Sequence, residues 1–259
     1  MLFICALNNL GSNIFLYITK NSFFMDSTFA IDFFSEEWIR NASITTILVL
    51  LYFYILSKIN NENLGLFFKA SALVIISMTL THEIILLSSG SWTLIEDLPL
   101  HLCDVSAIIC CIIFFVQKKQ LLFEFLFYCG IIGGFISILT PQITLYDGNY
   151  FYYIMFYFKH ASIIVIPIAI MFRMKLQLRK YSWLKTFAGI NILLAIVMPV
   201  NAALGSNYLY VAKPPIVKNP LILGTGENTI LGLPDYVFGF EIILLILLLI
   251  FYIIFKPRK

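Results

Sequence analysis

The chain has 259 residues, 61% hydrophobic and 12% charged, with 17 Lys and Arg against 14 Asp and Glu. A soluble domain holds roughly 45–50% apolar and about 25% charged residues, so a soluble globular fold is excluded. The net charge of +3 is small and its basic residues lie in scattered groups, without the single basic stripe that nucleic-acid binding requires.

In chain order, residues 1–24 are apolar but interrupted by Asn8, Asn9, Gly11, Ser12 and Asn13. They lack the basic n-region and small-residue cleavage site of a signal peptide. Met25 stands before an acidic, amphipathic stretch over 26–40 and offers an alternative start. Residues 1–38 therefore read as an N-terminal extension and amphipathic lead-in, and 39–259 as one transmembrane domain. Long apolar runs bounded by charges predict seven spans, over 39–56, 66–87, 99–116, 121–139, 152–172, 183–204 and 236–255. Each is close to the roughly 20 residues that a crossing helix needs. The fold class is all-α, a polytopic integral membrane protein of about seven transmembrane helices. The fourth span carries Gly130, Gly133 and Gly134, which suit close helix packing, and Glu124 and Glu241, near span ends, read as interfacial.

Charge sets the orientation. With the loop between spans 1 and 2 inside, the cytoplasmic side collects Lys58, Lys69, Lys118, Lys119, Arg173, Lys175, Arg179, Lys180, Lys185, Lys256, Arg258 and Lys259, with Glu62 as its loop acid. The other side holds Lys20, Arg40, Lys213 and Lys218 among Asp26, Asp32, Glu36, Glu37, Glu96, Asp97, Asp147, Glu227 and Asp235. The positive-inside rule then puts the N-terminus outside and the C-terminus inside. A long outer loop over 205–234, rich in Gly and Pro, fits a lid or binding segment. No internal repeat supports a transporter built from inverted halves.

Ionisable side chains at membrane depth are costly and point to a site. His82, His101 and His160, the chain's 3 histidines, all fall in the outer half, with Glu83, Cys103, Asp104 and Lys159 near them. Depths of roughly 6–12 Å, at 1.5 Å per residue, suit one shared cavity. Pro99 suits the first turn of span 3, with Glu96 and Asp97 placed for capping and macrodipole support. Cys103 then lies just past that turn, where a helix N-terminus favours the nucleophilic thiolate. His101 and Cys103 point about 160° apart, whereas His101 and Asp104 share a face. The base for Cys103 is therefore His160 or His82, and His101 with Asp104 orients the site or binds a head group. The remaining polar and sulfur-bearing residues have plainer readings: membrane cysteines such as Cys110, Cys111 and Cys129 are packing residues, Glu83 with His82 reads as a buried pair, and Lys159 can snorkel.

The motif Leu98-Pro99-Leu100-His101-Leu102-Cys103-Asp104, then Phe123-Glu124-Phe125 and Thr140-Pro141, resembles the YwaF-like integral membrane proteins of bacteria. Gly205-Ser206-Asn207-Tyr208-Leu209-Tyr210 followed by Lys213-Pro214 is similar to that family's signature outer loop, and the resemblance covers about residues 26–255. The family is related to a vertebrate membrane acyltransferase that remodels ether phospholipids, with an embedded cysteine and histidine as its proposed catalytic pair. The resemblance implies that Cys103 and His160 take those places. The chain departs from the family at Lys159, where a paired histidine is common.

The expected function is a thiol-dependent lipid acyltransferase or transacylase of a bacterial cytoplasmic membrane, moving an acyl chain from a phospholipid donor to a lysolipid acceptor. Asn207, Tyr208, Tyr210 and Lys213 would bind a phosphate head group or close over the site. No cofactor and no nucleic-acid partner are expected. The alternatives are a small-solute or proton-coupled transporter using His82, Glu83, His101, Asp104 and Lys159, and a heptahelical sensor without chemistry. No metal is assigned, the alternative set being His82, His101 and Cys103.

Overall fold

A computed structural model describes residues 29–143, 150–217, 222–224, 226, 228–230 and 233–257. The N-terminal extension before residue 29, with the Met25 start, lies outside the described residues, as do parts of the 205–234 loop. Each apolar run of the sequence contains a helix: α1 (Glu36–Lys58), α2 (Asn61–Ser89), α3 (Leu102–Ile112), α4 (Gln120–Leu139), α5 (Tyr150–Arg173), α6 (Ser182–Leu204) and α7 (Asp235–Phe255). Two-residue strands β1 (Phe29–Ala30) and β2 (Gln142–Ile143) pair antiparallel, as do β3 (Thr229–Ile230) and β4 (Leu233–Pro234). The protein is an all-α, multi-pass membrane protein.

Six of these helices are long and apolar enough to cross a bilayer; α3 is not. Its 11 residues reach only about 16 Å, against a hydrocarbon core of about 30 Å. The span expected over 99–116 is one apolar run but not one helix. Pro99 disfavours helical backbone at the preceding residue, and a helix begins only after His101, whose extended backbone (φ −69°, ψ 150°) makes it the N-cap. After Ile112 the chain leaves the helix through a turn closed by the Phe115 amide donating to Ile112 O at 2.9 Å. Glu96 and Asp97 consequently do not cap α3. Asp97 Oδ2 instead accepts from the Thr93 amide at 2.7 Å and fixes the α2–α3 loop.

The centre of the bundle is α4, packed between α3 and α5. Gly130 and Gly134, one turn apart, make the α5 contact possible: a Cβ at Gly134 would meet His160 O at 2.8 Å, and one at Gly130 would run into Ile163 O. Phe123, Leu126, Phe127 and Tyr128 of α4 and Ile163, Ile166 and Ile170 of α5 are fully buried around this seam. Its end beside the basic 173–185 stretch is closed by a charge. Glu124 is 1% exposed and accepts from Arg179 Nε at 2.8 Å, Arg179 Nη2 at 2.7 Å, the Arg179 amide at 3.0 Å and Gln120 Nε2 at 3.0 Å. It is therefore a core latch, not an interfacial residue. Arg173, nearby, donates to the carbonyls of Leu56 and Ile59 at the end of α1.

The opposite end is tied by local chemistry. Ser35 caps α1 by accepting from the Trp38 amide at 3.1 Å, with Glu36 and Glu37 in the first turn, where acidic side chains suit the helix dipole. The Trp38 indole reaches across to the carbonyls of Ile138 and Leu139 at the end of α4, at 3.0 and 3.1 Å. Gly205, at φ 69°, ends α6 in the left-handed region, where glycine carries no Cβ penalty. Asn201 then holds the following loop by accepting from the Tyr208 amide and donating to the Tyr208 carbonyl, both at 2.9 Å.

Candidate functional site

At the end of the bundle opposite Glu124, α2, α3, α4 and α5 and the 92–100 and 208–217 loops surround a cavity of about 300 Å³, at the lower end of ordinary ligand sites. Its lining includes His82, Glu83, Glu96, Asp97, His101, Cys103, Asp104, Ser137, Lys159, His160 and Tyr210. Residues from four helices thus reach one space. Each arrives by a different local route.

Cys103 is the second residue of α3, one position after the start that follows the His101 cap. By position, the amides of Leu102 and Cys103 precede the first amide that donates within the helix, that of Asp104 to His101 O, so they carry the positive end of the helix dipole. Cys103 Sγ contacts Ser137 Oγ of α4 at 3.7 Å, and Gly133, one turn earlier on α4, leaves the sulfur room: a Cβ there would sit 3.4 Å from it. Among the described residues no hydrogen bond joins Cys103 to a histidine ring.

His160 is 4% exposed, ten residues or about 15 Å into α5. Its Nδ1 lies 2.7 Å from the Phe156 carbonyl of the preceding turn. A carbonyl only accepts, so Nδ1 carries the proton and Nε2 the lone pair. This is the tautomer a general base needs. The Phe156 ring packs beside it, with centroids 4.3 Å apart. The neighbouring Lys159 does not snorkel to the surface: its Nζ is 2.7 Å from Asp104 Oδ1 of α3, an ion pair one residue from both Cys103 and His160.

His82 and Glu83 form a second polar group on α2. His82 Nδ1 is 3.4 Å from Glu83 Oε1, and Glu83 Oε2 accepts from the Trp92 indole at 3.0 Å. Among the described residues no side-chain hydrogen bond joins His101 to Asp104; the imidazole meets Tyr208 edge-on, with centroids 5.4 Å apart, and lies tilted beside Tyr210 at 5.1 Å.

The outer-loop residues divide. Tyr210 lines the cavity, and burial pushes its phenol well above the ordinary value, so it stays neutral. Tyr208 is wholly buried; its hydroxyl donates to Leu94 O and accepts from the Leu98 amide, both at 2.9 Å. Asn207 Oδ1 accepts from the amides of Ala212 and Lys213, at 3.1 and 2.9 Å. Both therefore build the loop over the cavity, and Lys213 is exposed outside its lining. At the rim, burial raises the Glu96 and Asp97 carboxyls, Asp97 to about 6.

Ser137 and Trp92 were not among the sequence candidates. Ser137 lies one turn after Gly133 on α4, a spacing that could have marked it. Trp92 shows no such signal, because its partner is fixed by the loop fold. Among the described residues no group of three or more His, Cys, Asp or Glu side chains could hold a metal ion, the His82, His101 and Cys103 set included.

Residues 33–252 match the model of the TMEM164 family. The chain is also 25% identical, over 176 residues, to an uncharacterized protein of Treponema pallidum (strain Nichols), covering 67% of this chain and 68% of that one. No solved structure matches.

Proposed function

The chain belongs to the TMEM164 family, and from that premise we propose that it is a membrane-embedded, thiol-dependent lipid acyltransferase or transacylase. The reading rests above all on one observation: Cys103 and His160 line the same cavity, with His160 held as the Nε2-basic tautomer. The resemblance of the motif around Cys103 to a family with a cysteine–histidine pair supports it.

In this mechanism His160 Nε2 takes the Cys103 proton as Sγ adds to an ester carbonyl of a phospholipid donor. The positive first turn of α3, with the Leu102 and Cys103 amides, faces the developing oxyanion. The carbon–oxygen bond then breaks, the leaving oxygen receives the proton from His160, and a lysolipid departs. The acyl chain stays on Cys103 as a thioester. An acceptor lysolipid hydroxyl gives its proton to His160 and attacks the thioester, and Cys103 leaves as the restored thiol. Cysteine and base share a cavity without a direct hydrogen bond, and the bound ester brings them into reach, as apo sites commonly require. The Asp104–Lys159 pair anchors α3 to α5 beside both groups. An outward-opening site favours a phospholipid donor over cytosolic acyl-CoA, and a bacterial cytoplasmic membrane is the proposed location.

The same cavity also holds the Asp104–Lys159 ion pair and the contact of the His82 ring with the Glu83 carboxylate, which supports a proton or ion path as the second reading. One experiment separates them. In defined liposomes with a labelled phospholipid donor and a lysophospholipid acceptor, Cys103→Ala and His160→Ala each lower acyl transfer by about 10³-fold, the scale of removing a catalytic nucleophile or base. Full activity of Cys103→Ala, or no transfer by wild type with any head group, ends the thiol mechanism. Loss of solute flux in Asp104→Asn with none in Cys103→Ala establishes the ion path.

A further inference from the structure

Cys103 borders a second cavity, of about 190 Å³, on the side away from the charged pairs. The two cavities share His101, Cys103, Ile136, Ser137 and Tyr210. Their chemistry differs sharply. The first is lined by three histidines, four carboxylates and a lysine, whereas the second runs between α3, α4, α6 and α7 along Ile190, Leu194, Val237, Phe240, Leu244 and Leu247. Its acidic residue, Glu241, accepts from Asn191 Nδ2 at 3.0 Å, so this carboxyl is engaged two turns into α7.

We propose that the second cavity is the slot for one acyl chain of a membrane phospholipid, held while its ester lies at Cys103. The proposal rests on the acyl-transfer reading of the same site and adds where the chain goes. Three observations carry it. The sulfur stands on the wall between a polar and an apolar space, and the ester carbonyl of a phospholipid lies at that same boundary, head group on one side and chain on the other. The slot's depth fits: from Tyr236 to Leu247 is eleven residues of α7, about 16 Å, and one leaflet contributes half of a hydrocarbon core of about 30 Å. Gly133 lines the slot beside the sulfur, where a Cβ would stand 3.4 Å from Sγ, so its lack of a side chain leaves that end of the slot free.

The test is photocrosslinking of the full chain in phosphatidylcholine liposomes containing phosphatidylcholine with a diazirine in one acyl chain, read by peptide mass spectrometry. Adducts are expected on Leu194, Phe240 and Leu247, beyond those on Ile192, Ile196, Ile242 and Ile246, which face outward on the same two helices. Leu247→Trp, which fills the deep end, should lower the cavity adducts about tenfold and leave the outward ones unchanged. Leu194→Phe gives the same result from the opposite wall should Leu247→Trp not fold. Adducts confined to the outward residues, or cavity adducts unaffected by both variants, overturn the slot. The measurement requires no turnover and is repeated in Cys103→Ala. Cavity adducts in a wild type that transfers no acyl chain, or in a Cys103→Ala variant that transfers as fast as wild type, uphold the slot and remove the thiol chemistry; thiol-dependent acyl transfer with outward adducts alone upholds the chemistry and removes the slot.

Discussion

The central helices and the peripheral ones obey different rules. Half of the apolar stretch of α4 and 44% of that of α5 are buried inside the protein, against 17% for α1, α2, α6 and α7. The peripheral helices keep large side chains such as Ile47, Leu50, Leu66 and Ile192 on the outside, where a bilayer, not protein, solvates them. The α4–α5 seam is held by shape and by satisfied polar groups, because apolar burial alone does not drive helices together in lipid. That division explains where the site is. His160, Lys159 and Ser137 project from the rigid pair, and the short α3 brings Cys103 against it. A helix too short to cross can end inside the protein only because its first turn opens onto a polar cavity and its last leads to the loop that carries Lys118 and Lys119.

The largest expected contrast lies in the ion pairs. Arg179→Ala leaves buried Glu124 with only Gln120 Nε2 and the residue-179 amide as donors, and because the Arg179 side chain is 48% exposed the loss should be about 3 kcal/mol, the low end for a buried pair. Arg40, at the periphery, pairs with Glu37 at 3.6 Å with side chains 62% and 36% exposed; Arg40→Ala should cost about 0–1 kcal/mol. Equilibrium unfolding in mixed detergent micelles measures both. Equal effects would mean that the Glu124 latch is solvated and the central seam is no more rigid than the rim.

Glycines sharpen the comparison at a smaller scale. Gly130→Ala drives a methyl into the Ile163 carbonyl on α5, backbone that cannot swing aside, and overpacking of this kind costs about 1–3 kcal/mol. A Cβ at Gly65, in α2, would meet nothing within 4 Å, so Gly65→Ala should stabilise that helix by up to about 1 kcal/mol. The same unfolding assay gives opposite signs for one chemical change. A destabilising Gly65→Ala would show that the periphery, too, is packed against a partner.

The same division governs what was legible in the sequence. Six long helices follow from hydropathy and length, which report on the solvent around a helix, and the polar residues of the outer half were recognisable because charge at membrane depth is costly to keep without a role. Pairings across helices were not legible. Lys159 reads as a snorkelling residue until α3 brings Asp104 to it, and Glu124 reads as interfacial until the loop after α5 folds Arg179 over it; each partner is 55 residues away, beyond any local period. The start of α3 was misplaced because hydropathy counts Pro99 and Leu100 as span, whereas backbone restriction near Pro99 and the His101 cap decide where the helix begins. Asn207 and Tyr208 belong to a recognisable motif, but only the fold shows that their polar atoms close the loop on itself.

The smallest effect expected concerns the rim joining a peripheral helix to the site. Burial raises the Asp97 carboxyl to about 6 from an ordinary 3.8, and the nearby Glu83 carboxylate adds to the rise although the Thr93 amide opposes it. Between those two values the folded protein binds more protons at Asp97 than the unfolded chain does, so stability falls as pH rises from about 4 to about 6. Below that window both states hold the proton, and above it neither does, so the contribution is flat on either side. Asp97→Asn keeps an oxygen acceptor for the Thr93 amide but cannot ionise. Its melting temperature relative to wild type should climb through the same window and then level. A constant difference across pH 4–8 would show that the Asp97 carboxylate is solvated, and that the α2–α3 loop belongs with the lipid-facing periphery and not with the walls of the cavity.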